Sequence, residues 1–181
     1  MKIIYTILMC FLFVNVSNSQ KQFLTKNGAI TFFSSTTMAD IKADNNQVLS
    51  IIDASNGKMA IIILMKSFMF KKALMQEHFN ENYVESDLFP KATFKGEILN
   101  FETIKNSETK LEVKGSITIH GKRKEIIIPA SFTRSENTIF VKGEFNLLLS
   151  DYNVKIPSIV SKKIAKELKV TFEFNHKPYK K

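Results

Sequence analysis

The block Phe89-Pro90-Lys91-Ala92-Thr93-Phe94-Lys95-Gly96 is followed by Gly115-Ser116-Ile117-Thr118-Ile119-His120-Gly121-Lys122 and then by Ile126-Ile127-Ile128-Pro129. These are strand-like segments with alternating side chains, and glycines fall where a barrel wall has to bend or turn. The alternation extends along the chain. Ala92, Phe94, Gly96 and Ile98 share one face, as do Leu111, Val113, Gly115, Ile117 and Ile119. Ile126, Ile128, Ala130 and Phe132 form another row, followed by Ile139, Val141, Gly143, Phe145 and Leu147, and then Leu168, Val170, Phe172 and Phe174. Long strands without an alternating strand–helix rhythm exclude a doubly wound sheet. They predict an all-β fold: an antiparallel β-barrel of about eight strands with an apolar interior, which side chains fill or which holds one elongated ligand. Gly96, Gly115 and Gly143 fall on the inner faces, where they permit sharp coiling or leave room for a neighbour or a ligand.

The first half of the chain is less regular. Strand signals run from Phe23 to Leu64, with turns expected at Asn27-Gly28, Asp44-Asn45-Asn46 and Ser55-Asn56-Gly57. The apolar run Met59 to Met65 predicts a strand covered on both faces. A short helix is expected over Lys71 to Tyr83, because Met75, Phe79 and Tyr83 recur every four residues; it would plug one end of the barrel. Pro90 ends that segment. A second helical turn is expected from Pro157 to Ala165, with Ser158 as its cap. No repeat, low-complexity tract or linker divides the chain after its leader, so residues 20–181 read as a single domain.

Residues 1–19 read as a secretory signal: Met1-Lys2, an apolar run from Ile3 to Val16, and the small-x-small ending Ser17-Asn18-Ser19. The product is expected to be exported, periplasmic or extracellular. Cys10 is the only cysteine and lies within the leader, so residues 20–181 have no disulfide, thiolate metal site or cysteine nucleophile. The net charge is +9, and its excess is scattered apart from Lys122-Arg123-Lys124, Lys162-Lys163 and the tail. With no basic stripe and no tryptophan, nucleic acid is not expected as a partner. The charge suits a solvated basic surface, an anionic membrane surface or a phosphate-bearing head group.

Taken in order, several blocks resemble the YceI-like family of exported lipid-binding proteins. They are Ser67-Phe68, Met75-Gln76-Glu77-His78-Phe79, Phe89 to Gly96, Gly115 to Gly121, and Asp151-Tyr152-Asn153-Val154 leading to Pro157. The similarity spans roughly Gly28 to Phe174, and the polar stretch Asp44-Asn45-Asn46-Gln47 departs from it. The resemblance implies a lipocalin-like, extended β-barrel, usually periplasmic, whose pore can hold a polyisoprenoid chain; some relatives are implicated in quinone binding or transport. It carries over no catalytic motif and implies no cofactor. The expected function is therefore that of an exported carrier for a long apolar lipid such as a polyisoprenoid or quinone. The alternative is a ligand-free structural or interaction barrel of the cell envelope.

Phe68, Phe94, Ile117, Ile119, Phe132 and Phe145 are candidates to line a hydrophobic tunnel, and equally serve as a filled core. Phe79 and Tyr83 are expected near a pore mouth, where the Tyr83 hydroxyl would reach a head group while its ring stays buried. His78 lies beside Phe79 and reads as a structural residue or a head-group contact. His120 falls in a turn and His176 in the tail, and the spacing of the three matches no metal motif. Glu77, Glu81 and Glu85 read as a solvated helix face rather than a carboxylate pair across a cleft. No Gly-x-Ser-x-Gly elbow or glycine-rich phosphate loop occurs, so the chain is not expected to be an enzyme.

Overall fold

The computed structural model describes residues 22–179, so the leader assigned to residues 1–19 lies outside the described part. The strands are β1 (Gln22–Ser35), β2 (Asp40–Asp53), β3 (Lys58–Leu64), the two-residue β4 (Met69–Phe70), β5 (Lys91–Ile98), β6 (Thr109–Ile119), β7 (Lys122–Ser135), β8 (Thr138–Leu148) and β9 (Glu167–Pro178). One short helix, α1 (Ala73–His78), continues into a π-helical turn over Phe79–Tyr83. Neighbours follow the order β1-β9-β8-β7-β6-β5-β3-β2, and β2 pairs back onto β1. The result is a closed eight-stranded antiparallel barrel, with β4 added beside β2.

Closure sorts the connections onto two ends. The β1–β2 hairpin, the helical segment 65–90, the His120-Gly121 turn and segment 149–166 lie at one end. The β2–β3 and β7–β8 hairpins and the β5–β6 connection lie at the other. Of the expected turns, only Ser55-Asn56-Gly57 is one, with Gly57 at φ +69°.

The other two turns are irregularities within long strands. Asn27-Gly28 and Asn45-Asn46 sit where the β1–β2 register shifts between Thr25, Gly28 and Ile30. Asn45 is fully buried; its amide donates to the Leu64 carbonyl (3.0 Å), and its side-chain oxygen accepts from the Gln47 N–H (2.9 Å). A buried amide with partners on both sides stabilises a bulge as effectively as a turn. The Met59–Met65 run is covered on one face only, leaving Ile62 and Leu64 exposed on the outside. The expected helix after Pro157 is a single 3-10 turn, Ser158–Val160, and Ser158 makes no capping bond.

The end away from the helix is packed solid. Ile52, Phe132 and Ile139 are completely buried there, with Phe23, Ile98, Phe101 and Ile104 around them. His176, read from sequence as a tail residue, belongs to β9 and is also fully buried. Its Nδ1–H donates to the Ile139 carbonyl (3.1 Å), which fixes the tautomer, and its Nε2 accepts from the Ser50 hydroxyl (2.8 Å). Burial pushes the imidazole pKa down to about 4 from its ordinary 6.5, opposed by the hydrogen bond to Ile139. The unfolded chain therefore binds a proton between these two values that the folded chain refuses. The stability this neutral ring contributes is present above pH 6.5 and is lost as pH falls toward 4. Denaturant titrations across that window should show a loss of up to about 3 kcal/mol, which a His176→Asn variant should largely lack. Equal slopes in both proteins would contradict this.

Candidate functional site

Above the packed end the barrel is hollow. An apolar cavity of ≈ 310 Å³ is enclosed by the inward rows of the strands and by the helical segment. Alternate residues supply the wall: Met59, Ile61 and Ile63 on β3; Val113, Ile117 and Ile119 on β6; Leu168, Val170, Phe172 and Phe174 on β9. The floor is set by Val113, Ile128, Val141 and Phe174, one or two inward positions above the packed residues.

Helix α1 and the π-helical turn after it lie over the open end, with Met75, Phe79 and Tyr83 all facing the cavity as their four-residue spacing predicts. This segment is anchored by aromatic rings rather than by capping, since Lys72 makes no side-chain cap bond. Phe79 meets Phe32, Phe68 and Phe70 at centroid separations of 5.5, 5.6 and 5.1 Å, and Phe32 meets Phe68 at 5.3 Å. Each such pair adds roughly 0.5–1.5 kcal/mol beyond its buried area.

A polar clamp holds the opposite side of this end. His120, at φ +49°, places Nδ1 3.1 Å from the Tyr152 carbonyl and Nε2 2.6 Å from Glu85 Oε2. It thereby ties the β6–β7 turn to both flanking segments, while Phe89 packs edge-on against its ring. Glu85 consequently leaves the solvated row in which its spacing from Glu77 and Glu81 placed it. Segment 149–166 is fastened to β1 by the Ala165 N–H donating to Ser34 Oγ (2.8 Å).

The wall is almost wholly carbon. Its polar side chains are Ser34, His78, Tyr83, Tyr152 and Lys163. Ser34 is already engaged by Ala165, and Tyr152 is buried. His78 and Lys163 are exposed as well as wall-forming, so they mark the mouth. Partial burial raises the Tyr83 pKa and keeps its phenol neutral. Among the described residues no group of three or more His, Cys, Asp or Glu converges as metal ligands would.

This architecture has counterparts. The YceI-like domain matches residues 14–176. The chain belongs to the YceI-like family. Comparison with curated protein sequences gave no match. Among solved structures, a polyisoprenoid binding domain from Saccharophagus degradans superposes with a TM-score of 0.78 at 15% identity, covering 88% of this chain and 99% of that one. BcnA from Burkholderia cenocepacia gives 0.69 at 17%, covering 82% and 95%. A Campylobacter jejuni YCEI protein gives 0.59 at 14%, covering 86% of each. At these identities the likeness is one of fold.

Within this YceI-like barrel, Phe68, Phe79, Tyr83, Phe94, Ile117, Ile119 and Phe145 all stand on the cavity wall. Phe132 does not. It points inward, as its parity requires, but lies four residues beyond the floor residue Ile128, in the packed end. Phe32 and Phe70 complete the aromatic cluster and were not picked out from the sequence. The alternation Ile30-Thr31-Phe32-Phe33-Ser34 marks Phe32, whereas Phe70 sits on a strand too short to show a period.

The inner-face glycines make room for the barrel's own rings. Gly96 and Gly115 are register partners, and the tip of the Phe94 ring lies where a Cβ on either would go. A Cβ at Gly115 would sit 2.5 Å from the Lys95 carbonyl oxygen and 2.6 Å from the Gly96 Cα, both backbone atoms that cannot swing aside. Gly115→Ala should therefore cost about 1–3 kcal/mol by overpacking, read as a lowered denaturation midpoint. An unchanged midpoint would show that the two strands have slack at this crossing.

Proposed function

We propose that this protein is an exported carrier that holds the tail of a long apolar molecule, of the polyisoprenoid or quinone class, inside its barrel. The carbon-walled cavity open at one end is the observation that carries this reading. Its volume of ≈ 310 Å³ falls within the range of small-molecule sites, about 300–1,000 Å³. Each buried methylene contributes about 0.8 kcal/mol, so a five-carbon unit offers roughly 3–4 kcal/mol before ordering costs. A few such units bind without any salt bridge. The similarly folded domain from Saccharophagus degradans is a polyisoprenoid binding domain, which supports the ligand class.

In this reading Phe68, Phe79, Phe94, Ile117, Ile119 and Phe145 contact the tail, and the Tyr83 hydroxyl, His78 and Lys163 receive a polar or anionic head at the mouth. Phe132 shapes the floor only indirectly. The alternative, a barrel filled by its own side chains, describes only the packed end. Leader removal after Ser19 and delivery outside the cytoplasm belong to the same proposal, because an apolar cargo between membranes needs a carrier.

Extraction of the purified protein with organic solvent, followed by mass spectrometry, should release an isoprenoid-type lipid in stoichiometric amount, and the emptied protein should take up added polyprenyl alcohol. Val170→Phe with Ile117→Phe, placing extra bulk on β9 and β6, should lower uptake at least tenfold while the barrel stays folded. No stoichiometric lipid together with no uptake would defeat the carrier role.

A further inference from the structure

Exposed hydrophobic side chains are distributed unevenly over this barrel. Ile159 is 90% exposed, Leu88 72%, Leu74 and Met69 61% each, and Met38 58%. All five belong to the connections at the mouth end. At the packed end the most exposed large hydrophobic side chain among the described residues is Tyr179, at 40%. Four of the five border the mouth itself, because their immediate chain neighbours Ala39, Phe68, Phe70, Met75 and Val160 form the cavity wall. An apolar rim around an apolar opening has no role in water and marks a contact surface.

Charge identifies what the rim meets. Segment 154–166, which carries Ile159 at its tip, holds Lys155, Lys162, Lys163 and Lys166 and no acidic residue. Among the described residues none of these lysines is ion-paired. Across the mouth, Lys71 and Lys72 precede the exposed Leu74. Several acidic groups at this end are taken up: Asp87 by Lys66, Glu85 by His120 and Asp151 by Lys124. Glu77 and Glu81 stay exposed along the helical segment, as do Asp40, which accepts from Ser35 Oγ, and Glu167 at the start of β9. The packed end mixes the two signs, with Glu102, Glu108 and Glu136 beside Lys58, Lys105 and Lys177.

We propose that the mouth end docks on the surface of an anionic lipid bilayer. Ile159, Leu74, Met69 and Met38 enter the headgroup region, and the lysines of segment 154–166 lie against lipid phosphates. Exposed apolar residues framed by lysines bind such surfaces through buried area plus electrostatic attraction. Docked this way, the cavity faces the membrane directly, and an apolar tail passes between bilayer and barrel without crossing water. The inference uses the carrier reading only for this last consequence; the docking itself rests on the rim.

The test is flotation of the full chain with phosphatidylcholine vesicles that do or do not contain phosphatidylglycerol. Residues 3–16 are themselves apolar, so differences between variants decide. Co-flotation should depend on phosphatidylglycerol and weaken in raised salt. Substituting Lys155, Lys162 and Lys166 by Gln should lower partitioning about fivefold per lysine, and Ile159→Glu should lower it roughly tenfold or more. Ile127→Glu, on an exposed part of the β7 wall, should change nothing. Flotation indifferent to phosphatidylglycerol, unaffected by the rim substitutions, or equally reduced by Ile127→Glu would overturn the proposal. Uptake of polyprenyl alcohol from solution by the Ile159→Glu variant separates the two ideas, since that residue lies off the cavity wall. Normal uptake with lost flotation supports docking, and absent uptake in the wild type with rim-dependent flotation removes the carrier role alone.

Discussion

The structure depends on β1 hydrogen-bonding along both of its edges, to β2 on one side and β9 on the other. Closure abolishes the open edges that a sheet of this length would present to other chains, and it gives every strand one face turned to a common interior. β1 accommodates two partners by shifting register near Gly28 against both β2 and β9. These irregularities bend the strand tightly enough to complete the cylinder. A flat β1 would leave β2 and β9 apart, with no enclosed space.

Given closure, the packing of inward side chains divides the interior in two. At one end the inward rows finish in Phe132, Ile139, Ile52 and the hydrogen-bonded His176, which interlock at full burial. Toward the other end the rows line the cavity, and the rings of Phe94 and Phe172 lie back over Gly115 and Gly143. Small residues beneath large ones let aromatic surface coat the wall while the centre stays open. The solid half holds the fold together without disulfides, and the hollow half is left free for a ligand. In the proposed carrier, stability and binding occupy different heights of one barrel.

Period-two alternation made the inward faces of β5 to β9 legible from sequence, because parity is a local property. The four-residue spacing of Met75, Phe79 and Tyr83 located the helix face for the same reason. Height along the barrel was not legible. Phe132 and Phe145 have the same parity and similar neighbours, and only the register across several strands puts one in the packed core and the other on the cavity wall. The asparagine-rich stretch at Asn45 read as a turn because its buried partner, the Leu64 carbonyl, is 19 residues distant. His176 read as a tail residue for the same reason: its partners Ser50 and Ile139 are far away in the chain. Membership of the YceI-like family was carried by blocks in order, which survive such local misreadings.

The proposed carrier role requires an apolar chain lying along the barrel axis in the hollow half. A crystal structure of the protein loaded with a terminally brominated polyprenyl or alkyl chain tests it most directly, because bromine scatters anomalously and fixes its own position. The account predicts a bromine peak inside the barrel, ringed by Phe94, Val141, Phe174 and Val170 above the packed end. Bromine found only on the outer surface, with the cavity filled by shifted side chains, would contradict it.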